Sequence, residues 1–156
     1  MKPMLLALAA SGLVTTAALA AAPVKSPAVE YLSSEQTLAA KLPFSEAVRV
    51  GNTLYLSGVI GFTPGTRTLV AGGIEGQTRQ VMDTIKTVLE RNGSSLDQVV
   101  KCTVMLADMS EWAKFNAIYV TYFTKHFPAR SALGVNGLAL GAAVEIECIA
   151  TVGDAG

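Results

Sequence analysis

The chain has 156 residues, 51% hydrophobic and 15% charged, which suits one domain with a substantial core. Twelve basic residues balance twelve acidic ones, which argues against a phosphate-backbone binder and against a polybasic membrane-surface protein. Two cysteines and one histidine cannot complete an ordinary structural zinc site, and Cys102 and Cys148 are spaced too widely for a CxxC redox motif.

The N-terminus reads MKPMLLALAASGLVTTAALAAAPVK. Lys2 forms a short positive region, Met4 to Leu19 is apolar with small residues, and Ala18-Leu19-Ala20 is an A-x-A cleavage pattern followed by Pro23. This is the pattern of a secretory signal peptide; an uncleaved membrane anchor is the alternative. Residues 1–20 are therefore set apart from the fold. The mature protein is expected to be periplasmic or secreted, without a membrane attachment. Losing Lys2 leaves 11 basic and 12 acidic residues, a net charge of −1. Export would place both cysteines in an oxidising compartment.

Residues 21–42 contain Ala, Pro and Ser without a clear period and read as an arm, with the domain proper at 43–156. EAVRVGNTLYLSGVI reads as two strands joined by a Gly51-Asn52 hairpin turn. TPGTRT is a turn. From Ile74 to Asn92, Val81, Met82, Ile85, Val88 and Leu89 recur at helical spacing, and Asn92-Gly93 supplies the stop. VVKCTVML is rich in β-branched residues and predicts a strand. Asp108 and Glu111 then form a D-x-x-E capping pattern. The helix after it carries Trp112, Phe115, Tyr119, Tyr122 and Phe123 and is predicted to stop near His126, because Pro128 disfavours helix at Phe127.

Two strands close the chain, the short RSALGV and the alternating AVEIECIATV, with the glycine-rich NGLALGA between them. The order ββαβαββ predicts an α+β domain with a single mixed β-sheet and two helices on one face. The other face stays half apolar, and a second chain is expected against it.

Arg130 is the candidate for chemistry. It follows Phe127-Pro128, and no further charge occurs until Glu145. A planar guanidinium in such apolar surroundings suits bidentate carboxylate binding; a structural ion pair with Glu145 or Glu147 is the plain alternative. Those two glutamates share one face of their strand, while Ile146, Cys148 and Ala150 point the other way. The aromatic row from Trp112 to Phe123 reads as packing, and His126 as a helix-end residue. GVNGLALGA lacks the lysine and the following helix of a phosphate loop.

PARS, with Arg130 fifteen residues before Glu145 of VEIE, joins FNAIYVTYF and LSG in a combination that resembles the YjgF/Rid family of reactive-imine deaminases. The resemblance runs from about Pro43 to Val152. It implies a Bacillus chorismate mutase-like fold and a homotrimer with sites in clefts between subunits. The implied reaction is hydrolytic deamination of 2-imino acids to 2-keto acids and ammonia, needing neither metal nor organic cofactor. Arg130 would hold the substrate carboxylate, and Glu145 would position the attacking water. Ser57, Gly58, Phe44, Asn116, Ser131 and Ala132 would line the pocket.

Two positions depart from the family's best-known deaminases. Phe44 replaces a tyrosine and Ala132 a cysteine, so the pocket lacks a hydroxyl and a thiol. Non-catalytic binding of small carboxylates, or a structural or chaperone-like trimer, are the competing functions. A ribonuclease role attached to some relatives is disfavoured by the near-neutral charge, and no nucleic-acid partner is expected. The family's sheet also sets the strand of Cys102 beside that of Cys148, with both residues at helix-facing parity. A disulfide and two unpaired buried thiols are equally compatible with that placement.

Overall fold

Residues 26–153 are described by the computed structural model; the signal peptide read at residues 1–20 lies outside them, as do the first residues of the arm. The strands are β1 (Val29–Leu32), β2 (Ala47–Val50), β3 (Thr53–Leu56), β4 (Val59–Ile60), β5 (Val99–Leu106), β6 (Ala129–Gly134) and β7 (Val144–Thr151). The helices are α1 (Glu35–Ala39), α2 (Gly73–Arg91) and α3 (Trp112–Tyr119). The strands form a single mixed sheet in the order β1-β2-β3-β7-β5-β6, with β4 also paired to β7. β5 and β6 are parallel, since the α3 segment carries the chain back across the sheet; the other pairs are antiparallel.

One face of the sheet is the core. α2 buries Ile74, Val81, Met82, Ile85, Val88 and Leu89 along one stripe, against Val144, Ile146, Cys148 and Ala150 of β7 and Cys102, Val104 and Leu106 of β5. Phe115 and Tyr119 of α3 complete it. Enclosing a side chain of this size stabilises the fold by about 2 kcal/mol. α2 ends where Gly93 takes φ 74°, a left-handed conformation natural to glycine, and the Ser94 N–H returns to the Leu89 carbonyl at 2.9 Å.

Four local expectations need correction. Residues 29–39 are not a featureless arm: β1 pairs antiparallel with β2, Val29 opposite Val50 and Leu32 opposite Ala47, and Ser34 caps α1. Both elements are too short, and too exposed, to show a hydrophobic period. The strand read through LSGVI is two strands, because three residues lie between Tyr55 and Val59 where two lie between Ile146 and Ile149 on the partner. The extra residue is a β-bulge at Ser57-Gly58. The second helix leaves α geometry at Tyr119, continuing only as a 3-10 turn over Val120–Tyr122; the Thr121 hydroxyl takes the Ile118 carbonyl at 2.7 Å, competing with the helix ladder. The capping box is half formed: Asp108 accepts from Ser110 N at 2.8 Å, but Glu111 pairs with Lys114.

Cys102 and Cys148 lie directly opposite each other on β5 and β7 and form a disulfide, resolving the alternatives left open above. It joins positions 46 residues apart inside the core. Closing a loop of that length in the unfolded chain stabilises by up to about 4 kcal/mol. Reduction is expected to lower the unfolding free energy by about 2–4 kcal/mol, measured by urea denaturation with and without dithiothreitol. Equal midpoints would show that the bridge contributes nothing.

Candidate functional site

The predicted site residues gather into two groups on opposite faces of the sheet. The first surrounds Glu145 on the open face. Its strand is anchored by Gln77, a buried α2 residue whose Oε1 accepts from Ala143 N at 2.8 Å. Glu145 lies opposite Ile60 of β4, just past the bulge. The bulge brings the Gly58 backbone under the carboxylate, where a Cβ would overlap Glu145 Oε1 and lie 2.9 Å from Cδ. Only glycine leaves that space. Gly58→Ala is therefore expected to displace the carboxylate and leave the core untouched. If Glu145 works as proposed below, imine turnover should fall about a hundredfold, on the scale of a lost general base, with an unchanged circular dichroism spectrum. Parental turnover would show that the close approach is irrelevant.

Ser57 does not offer a free hydroxyl; its Oγ donates to the Ser45 carbonyl at 2.6 Å, tying the bulge to the segment that carries Phe44. The Phe44 side chain is 50% exposed. That segment is held from behind by Glu46, which accepts from the Ser34 and Thr37 hydroxyls and from the Ser34 N–H and pairs with Arg91. Burial alone would raise the Glu46 pKa; the Ser34 and Thr37 hydrogen bonds and the Arg91 charge outweigh it, and the carboxyl sits below its ordinary range. Glu145 is the reverse case. Burial first, then the Glu147 charge, push its pKa up, and among the described residues no donor or cation offsets them.

The second group surrounds Arg130 at the sheet edge. Parallel pairing sets Arg130 beside Cys102, Ala132 beside Val104 and Gly134 beside Leu106. All three partners face the core, so Arg130 and Ala132 are on the helix side of β6. The intervening Ser131 lies beside Thr103 on the open face, exposed and separated from β7 by β5. Above Arg130 runs α3. Asn116 Oδ1 accepts from Arg130 Nη1 at 3.0 Å, and the guanidinium lies over the Trp112 and Tyr119 rings. The ion pairs among the described residues do not include Arg130, so the structural bridge to Glu145 or Glu147 does not form.

One chain thus brings Ser57, Gly58 and Glu145 together, with Phe44 on the segment tied to Ser57, and separately Asn116, Arg130 and Ala132, but it does not join the two groups. Trp112, Tyr119, Gln77 and Glu46 were missed as site-forming residues. The signal for the first two was present: Trp112, Asn116 and Tyr119 are spaced to share a helix face. Among the described residues, no cluster of His, Cys, Asp or Glu converges to hold a metal ion.

The Endoribonuclease L-PSP family model matches residues 34–152. Reactive Intermediate Deaminase A, chloroplastic, of Arabidopsis thaliana is 42% identical over 123 residues, covering 79% of this chain and 66% of that protein. The 2-iminobutanoate/2-iminopropanoate deaminase of Mus musculus is 41% identical over 124 residues, covering 80% of this chain and 92% of that protein. Among solved structures, the conserved Rid-family protein YyfA of Yersinia pestis superposes with a TM-score of 0.75 at 40% identity, covering 80% of this chain and 100% of that one.

Proposed function

Because the chain belongs to the Endoribonuclease L-PSP family, which includes the YjgF and Rid proteins, we propose that it is an imine deaminase acting on small 2-imino acids. Water adds to the C=N carbon while Glu145 takes one of its protons. The resulting carbinolamine carries the former water oxygen and the nitrogen on one carbon. Glu145 returns that proton to nitrogen, completing the neutral carbinolamine; the hydroxyl proton then passes by way of Glu145 to the same nitrogen as the carbonyl forms, which breaks the C–N bond, releasing ammonia and leaving the 2-keto acid. Arg130 holds the carboxylate throughout and converts the attack into an effectively intramolecular step. Asn116 orients Arg130, and Gly58 makes room for the base.

The observation that carries this reading is the mismatch of the two groups. Among the described residues, a guanidinium without an acid stands on the helix side of the sheet edge, against α3, and a partly buried carboxyl without a donor stands on the opposite face. Each is half of a site for a substrate with an anionic end and a hydrolysable carbon. A second copy of the chain is what would complete it, and the half-apolar open face, with Tyr55 and Leu133 exposed, supports a homotrimer with three such clefts. The near-neutral charge favours a small substrate over RNA.

Co-expression of Arg130→Ala with Glu145→Gln tests the reading. Each mixed trimer holds one cleft with both groups intact, so random assembly is expected to recover about a quarter of the parental ammonia release, while either variant alone stays near background. Failure to recover activity would end the shared-cleft reading, and a parent that releases no ammonia would leave only carboxylate binding.

We also propose that the protein is exported. The disulfide favours an oxidising compartment, in keeping with the A-x-A pattern at Ala18–Ala20. Mass spectrometry of the protein from the cell envelope is expected to begin at Ala21 or within a residue or two of it; an intact Met1 on a cytoplasmic species would refute export.

A further inference from the structure

The Arg130 guanidinium is held against α3 by one polar and three aromatic neighbours. Nη1 is spent on Asn116 Oδ1 at 3.0 Å. The guanidinium carbon is 4.7 Å from the centroid of the Trp112 ring, 4.7 Å from that of Tyr119 and 6.0 Å from that of Phe115. Aromatic faces attract the cation through their quadrupoles without consuming any of its N–H donors. A guanidinium has five such donors, so a hydrogen-bonding cage would compete with a ligand where rings do not.

We propose that Trp112 and Tyr119 are positioning residues of the carboxylate site, clamping the Arg130 guanidinium against their rings so that the donors not used by Asn116 are held ready for a small 2-oxo or 2-imino carboxylate. The proposal rests on the reading of Arg130 as the carboxylate anchor. A long, flexible side chain on an edge strand would otherwise lose its rotamer freedom only when the ligand arrives, and that loss weakens binding. Here the loss is incurred in the fold.

The two rings differ in what else they do. Tyr119 is 2% exposed, and its hydroxyl has no hydrogen-bond partner among the described residues. Burial pushes its phenol up to about 12 against the opposing pull of Arg130, so it stays neutral and acts through its ring. Trp112 is only partly buried and is the one tryptophan of the chain. Its emission is therefore a direct reporter of what happens at Arg130.

The test uses calorimetric titration with 2-oxobutanoate, the keto acid that deamination of 2-iminobutanoate would yield, together with tryptophan fluorescence. Trp112→Leu is expected to bind about tenfold more weakly than the parent, and Trp112→Phe only about threefold, as expected for a clamp that needs a π face. Tyr119→Phe keeps the ring and is expected to lose clearly less affinity than Trp112→Leu. Without ligand, Arg130→Met is expected to change the Trp112 emission, and ligand is expected to change it saturably in the parent. Should Trp112→Leu not fold, Trp112→Phe and the emission of Arg130→Met carry the test.

Parental affinity in Trp112→Leu, or unchanged emission in Arg130→Met, would overturn the clamp. So would a loss in Tyr119→Phe as large as that in Trp112→Leu, because it would assign the role to the hydroxyl. A parent that binds 2-oxobutanoate yet releases no ammonia from the imine ends the deaminase reading and leaves the clamp intact.

Discussion

Arg130→Ala is expected to lower kcat/KM for 2-iminobutanoate by at least about thirtyfold, the equivalent of about 2 kcal/mol or more for a desolvated charge pair. The fold should survive, because Arg130 stands at a sheet edge, exposed, and among the described residues it makes no ion pair whose loss would strand a buried acid. Asn116 loses one partner at the surface, where water replaces it. Steady-state kinetics on imine generated in situ, beside thermal unfolding of the same samples, measures both effects. Parental kcat/KM would make the arginine structural. A collapse in unfolding temperature would show that its contacts with the α3 rings hold the edge strand in place.

Glu145→Gln should act on a different quantity. The amide keeps the shape over Gly58 but cannot take a proton, so kcat is expected to fall about a hundredfold or more with KM nearly unchanged. The pH dependence follows from the raised pKa of Glu145, caused by burial and by Glu147. In the proposed reaction the base works as the carboxylate, so parental activity is expected to fall as pH drops through this raised folded value, and Glu147→Gln should move that limb to lower pH. Stability runs the opposite way. With the folded pKa above the unfolded one, the group's stabilising contribution is fully present below the unfolded value and is lost as pH rises through the folded one. At neutral pH, Glu145→Gln should therefore match or exceed the parent in unfolding temperature while losing turnover. Such an opposition is the mark of a residue kept for chemistry; an inactive variant that is also destabilised would point to a structural glutamate.

The departures at Phe44 and Ala132 bear on both results. Phe44 sits on the segment that Ser57 ties to the bulge, on the Glu145 side. Ala132 is two residues beyond Arg130 and packs against the core. Neither position carries charge, so in the proposed reaction their effect is expected on the rate or the choice of substrate and not on the anchoring of the carboxylate.

Much of the fold was legible in the sequence because it is written in short-range periods. The stripe from Val81 to Leu89 specifies α2, and the alternation of Val144, Ile146, Cys148 and Ala150 against Glu145 and Glu147 specifies both β7 and its two faces. A helix or strand repeats its own geometry along the chain, so a single window of residues shows which side is buried. The Asn92-Gly93 stop and the Gly51-Asn52 turn are equally local.

The tertiary structure decided whatever depends on pairing between distant segments. Short β1 has no period of its own and exists because β2 offers it an edge. The bulge at Ser57-Gly58 appears only when β3 and β4 are both aligned on β7. Cys102 meets Cys148 because β5 and β7 pair in that one register, and a shift of one residue would have turned the two thiols to opposite faces. The same register logic separates Arg130 from Glu145. Arg130 was identifiable as a lone charge in an apolar stretch and Glu145 as one of two glutamates on the open face of its strand, but that Arg130 stands on the helix side follows only from Cys102, its neighbour across the ladder. The grip of Trp112 and Tyr119 on Arg130 was only half legible for the same reason: a helix's own spacing shows which residues share a face, whereas what that face meets is set by how the chain returns to lay β6 beside β5.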